Sequence, residues 1–446
     1  MIPLNKLKAV HIFGGGTVAH ITNHFAVSAP AYGATARQLE LIIRTNEHGW
    51  FDNCYTETHF TKMADPQGDS RFVLETNEDV AARIEGLKKS PNTKVIFFNC
   101  ALVDWTPTEG TLWPRDGSDS YESLKAESLG KYGPRLNSRD HRDIDIRFKP
   151  AEKIISNIRK GRKDIFLVGF KTTCGASKQE MFEKGLRLCK EGSVNLVLVN
   201  DTKTRWNMIV TPEEVTYHET SDRIDALRNL VEMAWLRSQL TFTQSTVIAG
   251  DPVPWTDPRV PSSLRKIVDH CVSGSAYKVF NGATVGHFAC KLSDTEFLTS
   301  IRKSDFNKLY ENGLVYVKTD GPDSVIAYGA KPSVGGQSQR IVFNDHKGFD
   351  CIVHFHCPLR PGNPGNIPIR SQREVECGSH QCGKNTSDGL GHFTVANSTG
   401  SYVIKAVMLD QHGPNIVFHK DTPPRLVIDF IERNFDLTKK TGGYHL

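Results

Sequence analysis

Two histidines stand one residue apart in Ile352-Val353-His354-Phe355-His356-Cys357, inside an apolar run. In an extended strand alternate side chains share a face, so the two imidazoles would project together. A third histidine closes a second apolar run, Ala406-Val407-Met408-Leu409-Asp410-Gln411-His412-Gly413. Neutral imidazole is a good ligand for zinc and similar divalent ions, and three ligands plus an open position are what Lewis-acid chemistry needs. For a lone His-x-His the alternative is a pair of hydrogen-bonded histidines on a polar face.

Between these runs lie acids and thiols in Arg373-Glu374-Val375-Glu376-Cys377-Gly378-Ser379-His380-Gln381-Cys382-Gly383. Glu374 or Glu376 could move protons beside a cation if its surroundings raised its pKa. Cys377, His380 and Cys382 suit either a second metal site, with Cys351 or Cys357 contributing, or a glycine-rich loop in which His380 is an acid or base. Structural zinc more often uses Cys-x2-Cys pairs, which favours the loop. Near the other end, Gly14-Gly15-Gly16-Thr17 follows an apolar stretch, and glycines at a helix start expose N–H groups to phosphate.

The elements that must carry these residues divide into two sets. In the first half, apolar runs at 9–13, 94–98, 164–170 and 194–199 alternate with helix-period segments at 34–44 and 178–190, the pattern of a parallel sheet covered on both faces. The polar stretch 107–149 reads as a surface loop or lid. A helix over 222–240, with Asp222 as its cap, precedes Pro252, Pro254, Pro258 and Pro261, which mark a boundary. Residues 1–245 and 246–446 are therefore expected as two domains. The second reads as a helix at 262–273, short strands at 287–292, 315–318, 352–355 and 406–410, and a final helix at about 422–435.

Composition narrows the function. Of 446 residues, 38% are hydrophobic and 24% charged, enough for sizeable cores. The net charge of +5 is spread along the chain, against a nucleic-acid partner. No run approaches the ~20 apolar residues of a membrane helix, and the N-terminal residues lack the long apolar region of a signal peptide. Ten sparse cysteines fit a reducing, cytoplasmic setting.

The first half resembles the phosphopantothenoylcysteine synthetase family. The likeness rests on Phe13-Gly14-Gly15-Gly16-Thr17, Ile21-Thr22-Asn23-His24, Asn99-Cys100-Ala101-Leu102-Val103-Asp104-Trp105, Leu167-Val168-Gly169-Phe170-Lys171 and Val199-Asn200-Asp201. The resemblance implies a Rossmann-like domain that activates a carboxylate with CTP or ATP and Mg for attack by an amine. By it, Gly14, Gly15, Gly16 and Thr17 hold phosphate, Asn23 assists the acyl intermediate, and Asp104, Lys171, Asn200 and Asp201 line the nucleotide site. The family's Ser-Ser-Gly-Lys stretch is replaced by Phe25-Ala26-Val27-Ser28-Ala29-Pro30, and its compact lysine motif by scattered Lys184, Arg187 and Lys190.

The second half resembles the class II aldolase/adducin family, an α/β/α fold, through the three histidines together with Val285-Gly286-His287-Phe288-Ala289-Cys290-Lys291-Leu292 and Phe297-Leu298-Thr299-Ser300. This implies that His354, His356 and His412 bind a divalent metal, zinc first, and that Thr284, Gly286, Thr299 and Ser300 hold a substrate phosphate. The glutamate base of family aldolases is missing from Ser333-Val334-Gly335-Gly336-Gln337. A dehydratase-like placement points instead to Glu374 or Glu376.

The reading is a two-domain α/β enzyme. Its second domain is a metal-dependent aldolase, dehydratase or epimerase acting on a small phosphorylated carbonyl compound. The alternative is a CTP- or ATP-dependent carboxylate–amine ligase carrying a non-catalytic, adducin-like module. Both families form symmetric oligomers, so a homo-oligomer is expected.

Overall fold

The protein is described by a computed structural model over residues 7–68, 73–116, 120–333 and 336–446, without the side chains of 336–338. Two compact units result. One comprises Met1–Gly175, Lys184–Ile209 and Glu219–Ser238; the other comprises Ala176–Glu183, Val210–His218 and Gln239–Leu446.

A sheet that lies largely in the first unit has seven strands: β1 (Lys8–Gly16), β2 (Cys54–Phe60), β3 (Thr93–Ala101), β4 (Phe166–Thr173), β5 (Leu196–Asp201), β6 (Asn207–Val210) and β7 (Thr216–Thr220). Their order is β7-β6-β5-β4-β3-β1-β2, and the pairs from β5 through β2 are parallel. Val10, Ile12 and Phe13 of β1 and Val95, Ile96 and Phe97 of β3 are buried, the continuous apolar character of a sheet covered on both faces. Because these strands are parallel, the carboxyl ends of β1, β3, β4 and β5 line one edge, where α/β sheets bind ligands. Helices α1 (Ala34–Thr45), α2 (Asn77–Lys89), α3 (Lys178–Gly192) and α4 (Arg223–Ser238) punctuate the strands. Asp222 caps α4 as expected, its Oδ1 accepting from the N–H groups of Ile224 and Asp225.

Two expectations for this half are corrected. The glycine triplet does not open a helix: Gly14–Gly16 end β1, a hairpin follows (Val18–Thr22 and Phe25–Ser28), and α1 starts only after Gly33. A Cβ on Gly14 would overlap Ala36, and one on Gly16 the carbonyl oxygen of Ala29, so close packing accounts for both. The stretch 107–149 is largely a three-stranded antiparallel sheet (Trp105–Pro114, Glu122–Leu124, His141–Pro150). Ile144, Ile146 and Phe148 alternate with charged residues in its last strand, a half-exposed pattern masked by the surrounding charge. Residues 117–119 lie outside the description.

In the second unit, a mixed sheet of ten strands is built from β8 (Gln244–Ile248), β9 (His287–Lys291), β10 (Glu296–Ser300), β11 (Leu314–Thr319), β12 (Ser324–Tyr328), β13 (Cys351–His354), β14 (Ile369–Arg370), β15 (Gly391–Asn397), β16 (Gly400–Leu409) and β17 (Gly413–Phe418). The order is β8-β12-β11-β10-β9-β13-β17-β16-β14, with β15 paired to β16. The four strands expected from the sequence correspond to β9, β11, β13 and a shortened β16; β8, β10, β12, β14, β15 and β17 were not expected. Helices are α5 (Ser262–Ser273), α6 (Gly336–Asp345), α7 (His380–Gly389) and α8 (Pro424–Asn434).

Period-two alternation sorts the strand residues cleanly. Phe288, Cys290, Cys351, Val353, Ile416 and Phe418 join Leu264, Ile267 and Val268 of α5 and Val427 and Ile431 of α8 in one core. Ala289, Ile352 and Val417 face the other way, with Val342 and Phe343 of α6. Helices thus cover both faces, an α/β/α sandwich.

Candidate metal centre

Alternation decides where the histidines point. His354 has the parity of Ile352 and His287 that of Ala289, so both take the α6 face. The register of β9 with β13 makes His287 and His354 direct Cα partners. The strand ends at His354, one residue earlier than expected, but the chain continues so that the His356 ring stands 5.0 Å from that of His354. His412 completes the group, its ring 4.7 Å from His354 and 4.5 Å from His356.

One ligand nitrogen from each of the three lies within 4.8 Å of the others, and all three side chains are buried. The turn that brings in His412 depends on Gly413 at φ 150°, where a Cβ would overlap the carbonyl oxygen of Phe355. Thr441 then ties the two approaches together: its N–H donates to the His356 carbonyl and its hydroxyl to that of His412.

Outer hydrogen bonds set which nitrogens face inward. His354 Nδ1 is 2.8 Å from the Pro414 carbonyl oxygen, which can only accept, so Nδ1 carries the proton and Nε2 keeps its lone pair. His356 Nδ1 lies 3.1 Å from Glu214 Oε2, within ion-pair reach though not aligned as a hydrogen bond. Burial, then the neighbouring imidazoles, hold His354 and His412 well below the ordinary histidine pKa. These two are neutral at physiological pH, the form that ligates.

The donor set therefore fits a divalent cation. Nitrogens bound to one zinc at ~2.0–2.1 Å sit ~3.4 Å apart, so modest ring rotations would close the set.

The carboxylates around this cluster are not those expected. Glu213 and Glu214, both buried, come from the turn 211–215, which belongs to this unit. Glu213 Oε1 accepts from the Cys377 N–H at 3.0 Å. Cys377 Sγ is 3.7 Å from His412 Nε2 and 4.0 Å from Cys382 Sγ. Glu374 is exposed, and Glu376 is buried, its carbonyl accepting from the Ser379 hydroxyl. His380 pairs with Asp323 at 2.8 Å. None of these joins the three-histidine set. Val334 and Gly335, in the stretch where the expected base is missing, lie outside the description. Only the adjacent carboxylates of the Pro212-Glu213-Glu214 turn signalled Glu214 in the sequence, and nothing there links them to residue 356.

Among the expected phosphate contacts, Thr284 donates to the Ser304 carbonyl and accepts from the Phe306 N–H, while Thr299 donates to the Phe288 carbonyl. Gly286, at φ 113°, lets the chain pass the His354 carbonyl. Ser300 Oγ is buried without a hydrogen-bond partner among the described residues, which leaves it free to accept or donate to a ligand.

In the first unit, Gly14–Gly16, Lys171, Asn200 and Asp201 stand at the carboxyl ends of parallel strands. The Thr17 hydroxyl donates to Asn77 Oδ1 at 2.6 Å and accepts from the Val103 N–H. Asp201 is committed to the backbone N–H groups of Lys203 and Thr204 and to the Thr173 hydroxyl. Asp104 pairs with Lys153, Lys171 is exposed, and Asn23 is exposed in the β-hairpin turn.

A second group, His11, Glu57 and His59, also meets the spacing for a cation. Here a cation is already built in: Arg83 Nη2 donates to Glu57 Oε1 at 2.9 Å and Arg83 Nε to His59 Nδ1 at 3.4 Å. His59 Nε2 in turn lies 3.1 Å from His11 Nδ1.

No protein-family model matches the chain, and no curated protein matches it. Among solved structures, it is similar to the DNA/pantothenate metabolism flavoprotein from Streptococcus pneumoniae, at 15% identity over 51% of this chain and 97% of that one, TM-score 0.39. It is also similar to an L-fuculose 1-phosphate aldolase, at 14% identity over 37% of this chain and 80% of that one, TM-score 0.27. A further similar structure is YgbL from Escherichia coli, a putative aldolase/epimerase/decarboxylase, at 17% identity over 39% and 86%, TM-score 0.27. Among the described residues no helix is long and apolar enough to cross a membrane.

Proposed function

We propose that the second unit is a divalent-metal-dependent lyase of the aldolase, dehydratase or epimerase type, with His354, His356 and His412 as ligands and zinc as the first candidate ion. The carrying observation is the convergence of three buried imidazoles, one of which has its outer nitrogen committed to a carbonyl so that the inner one is free. When bound, such an ion polarises a carbonyl and so eases loss of an adjacent proton. The chain's own residues orient the ligands and exclude water around them, and Ser300 offers a buried hydroxyl to an anionic substrate group. A small phosphorylated carbonyl compound is the substrate class this reading takes, and Glu376 and Glu374 remain its candidate proton carriers.

The first unit, in this reading, is a synthetase-like nucleotide-binding domain, the second, with its turn 211–215, forms the metal-binding domain, and the whole is a cytoplasmic homo-oligomer. CTP or ATP with Mg would lie at the carboxyl edge of the parallel sheet, near Gly14–Gly16 and Asn200. The same edge supports the second reading, a carboxylate–amine ligase.

Metal analysis of the purified chain tests the main proposal. A stoichiometric divalent ion, lost in His354→Ala, is expected; a chain that takes up no ion overturns it.

A further inference from the structure

Of the three central histidines, His354 has a backbone carbonyl to fix its ring. Among the described residues, His356 Nδ1 has no such carbonyl. That nitrogen is buried with Glu214 Oε2 3.1 Å away, within ion-pair reach and off the line of a hydrogen bond that a modest ring rotation would close, and both side chains are about 5% exposed. We propose that Glu214 is the positioning residue of the metal centre, a carboxylate that holds the Nδ1 proton of His356 and thereby turns Nε2 toward the ion. This rests on the three-histidine reading of the site and adds to it a residue from a turn that precedes the first ligand by 140 positions.

Three observations carry the assignment. First, Glu214 sits at φ 61°, a left-handed conformation that favours glycine or asparagine. A glutamate kept in a strained position points to a role for its side chain. Second, the turn is held firmly. The Glu214 N–H donates to the Thr211 carbonyl, the Thr211 N–H donates to the Val215 carbonyl, and Lys440 Nζ donates to the Glu214 carbonyl at 2.6 Å. Lys440 precedes Thr441, the residue bonded to the His356 and His412 carbonyls, so the turn and two ligands share one anchor.

Third, the chemistry matches the need. An imidazole Nδ1–H is a good donor to a carboxylate. A carboxylate behind a ligating imidazole fixes its tautomer and raises its basicity, and removing it typically costs ~10–100-fold in metal affinity.

The test is a competition titration of the full-length, metal-stripped chain with Co2+ and a chromophoric chelator. Wild type is compared with Glu214→Gln, Glu214→Asp and His356→Ala. The expected result is a ~10–100-fold weaker Co2+ affinity in Glu214→Gln, partial recovery in Glu214→Asp, and a metal-free melting temperature for Glu214→Gln close to wild type. Equal affinity in wild type and Glu214→Gln, with His356→Ala impaired, overturns the role of Glu214 and leaves the metal site standing. If wild type binds no Co2+, both proposals fall.

Should Glu214→Gln fail to fold, the wild-type apoprotein supplies a second readout. Nitrogen-15 shifts of the His356 ring should show the proton on Nδ1; a proton on Nε2 overturns the assignment.

Discussion

His287 and His354 face each other as Cα partners across an antiparallel strand pair, their rings 4.8 Å apart. His287 also contacts Gln339 Nε2 through Nδ1 at 2.6 Å, and burial pushes its pKa down to about 3. An amide N–H donated to Nδ1 leaves the proton on Nε2, so His287 acts as a wall of the cluster. Replacing His354 by alanine should therefore abolish stoichiometric metal, read by elemental analysis. His287→Ala should retain metal with affinity reduced by no more than ~10-fold, and should cost ~1–3 kcal/mol of stability by stranding the Gln339 amide.

The turn glycine beside His412 makes a separate prediction. Gly413 holds φ 150°, and a Cβ there would meet the backbone of Phe355 and His356. Gly413→Ala should lose ~1–3 kcal/mol in a denaturant melt and weaken metal binding at the same time. Gly362, at φ 78° with open space around its Cβ position, should lose stability on substitution by alanine with metal affinity unchanged.

Much of this centre could be read from the chain because period-two patterning marks strands, and a His-x-His within such a run already implies a shared face. His412 was marked by its place at the end of another apolar run. Glu214 was not, because no local pattern encodes which distant turn meets a strand end. Likewise the alternation of Ile144, Ile146 and Phe148 is masked by the charges between them, and nothing local shows that Gly14 and Gly16 are held to glycine by their approach to Ala36 and Ala29. Local rules give elements and faces; they do not give the long-range contacts that finish a site.

Acid should destabilise the first unit through His59 and Glu57. Burial holds His59 at about 3 against an ordinary 6.5, so between those values the unfolded chain binds a proton that the folded chain excludes. Stability is then complete above pH ~6.5 and falls as pH drops toward 3. Glu57, lowered to about 2 first by its hydrogen bond with His11, adds stability that is present above about 4.5 and lost toward pH 2. Melting temperature should fall steadily below pH ~6.5, and His59→Gln should flatten the slope between pH 6 and 4. An unchanged slope would mean that His59 exchanges its proton freely in the folded state.

The carboxyl edge of the parallel sheet carries the last prediction. Gly14–Gly16, Lys171 and Asn200 all end parallel strands there. A polyphosphate placed at that edge would meet the exposed ammonium of Lys171. Ligands that bind only the folded chain stabilise it by ~2.7 kcal/mol at a hundredfold excess over Kd. CTP or ATP with Mg should thus raise the melting temperature, and Lys171→Ala should shrink the rise without altering the melt of the nucleotide-free protein. Asp201 is the matching control. Its carboxylate is spent on Lys203, Thr204 and Thr173, so Asp201→Asn should lower the nucleotide-free melt itself by ~1 kcal/mol or more. A nucleotide response lost in Asp201→Asn but kept in Lys171→Ala would place the ligand away from the Lys171 ammonium.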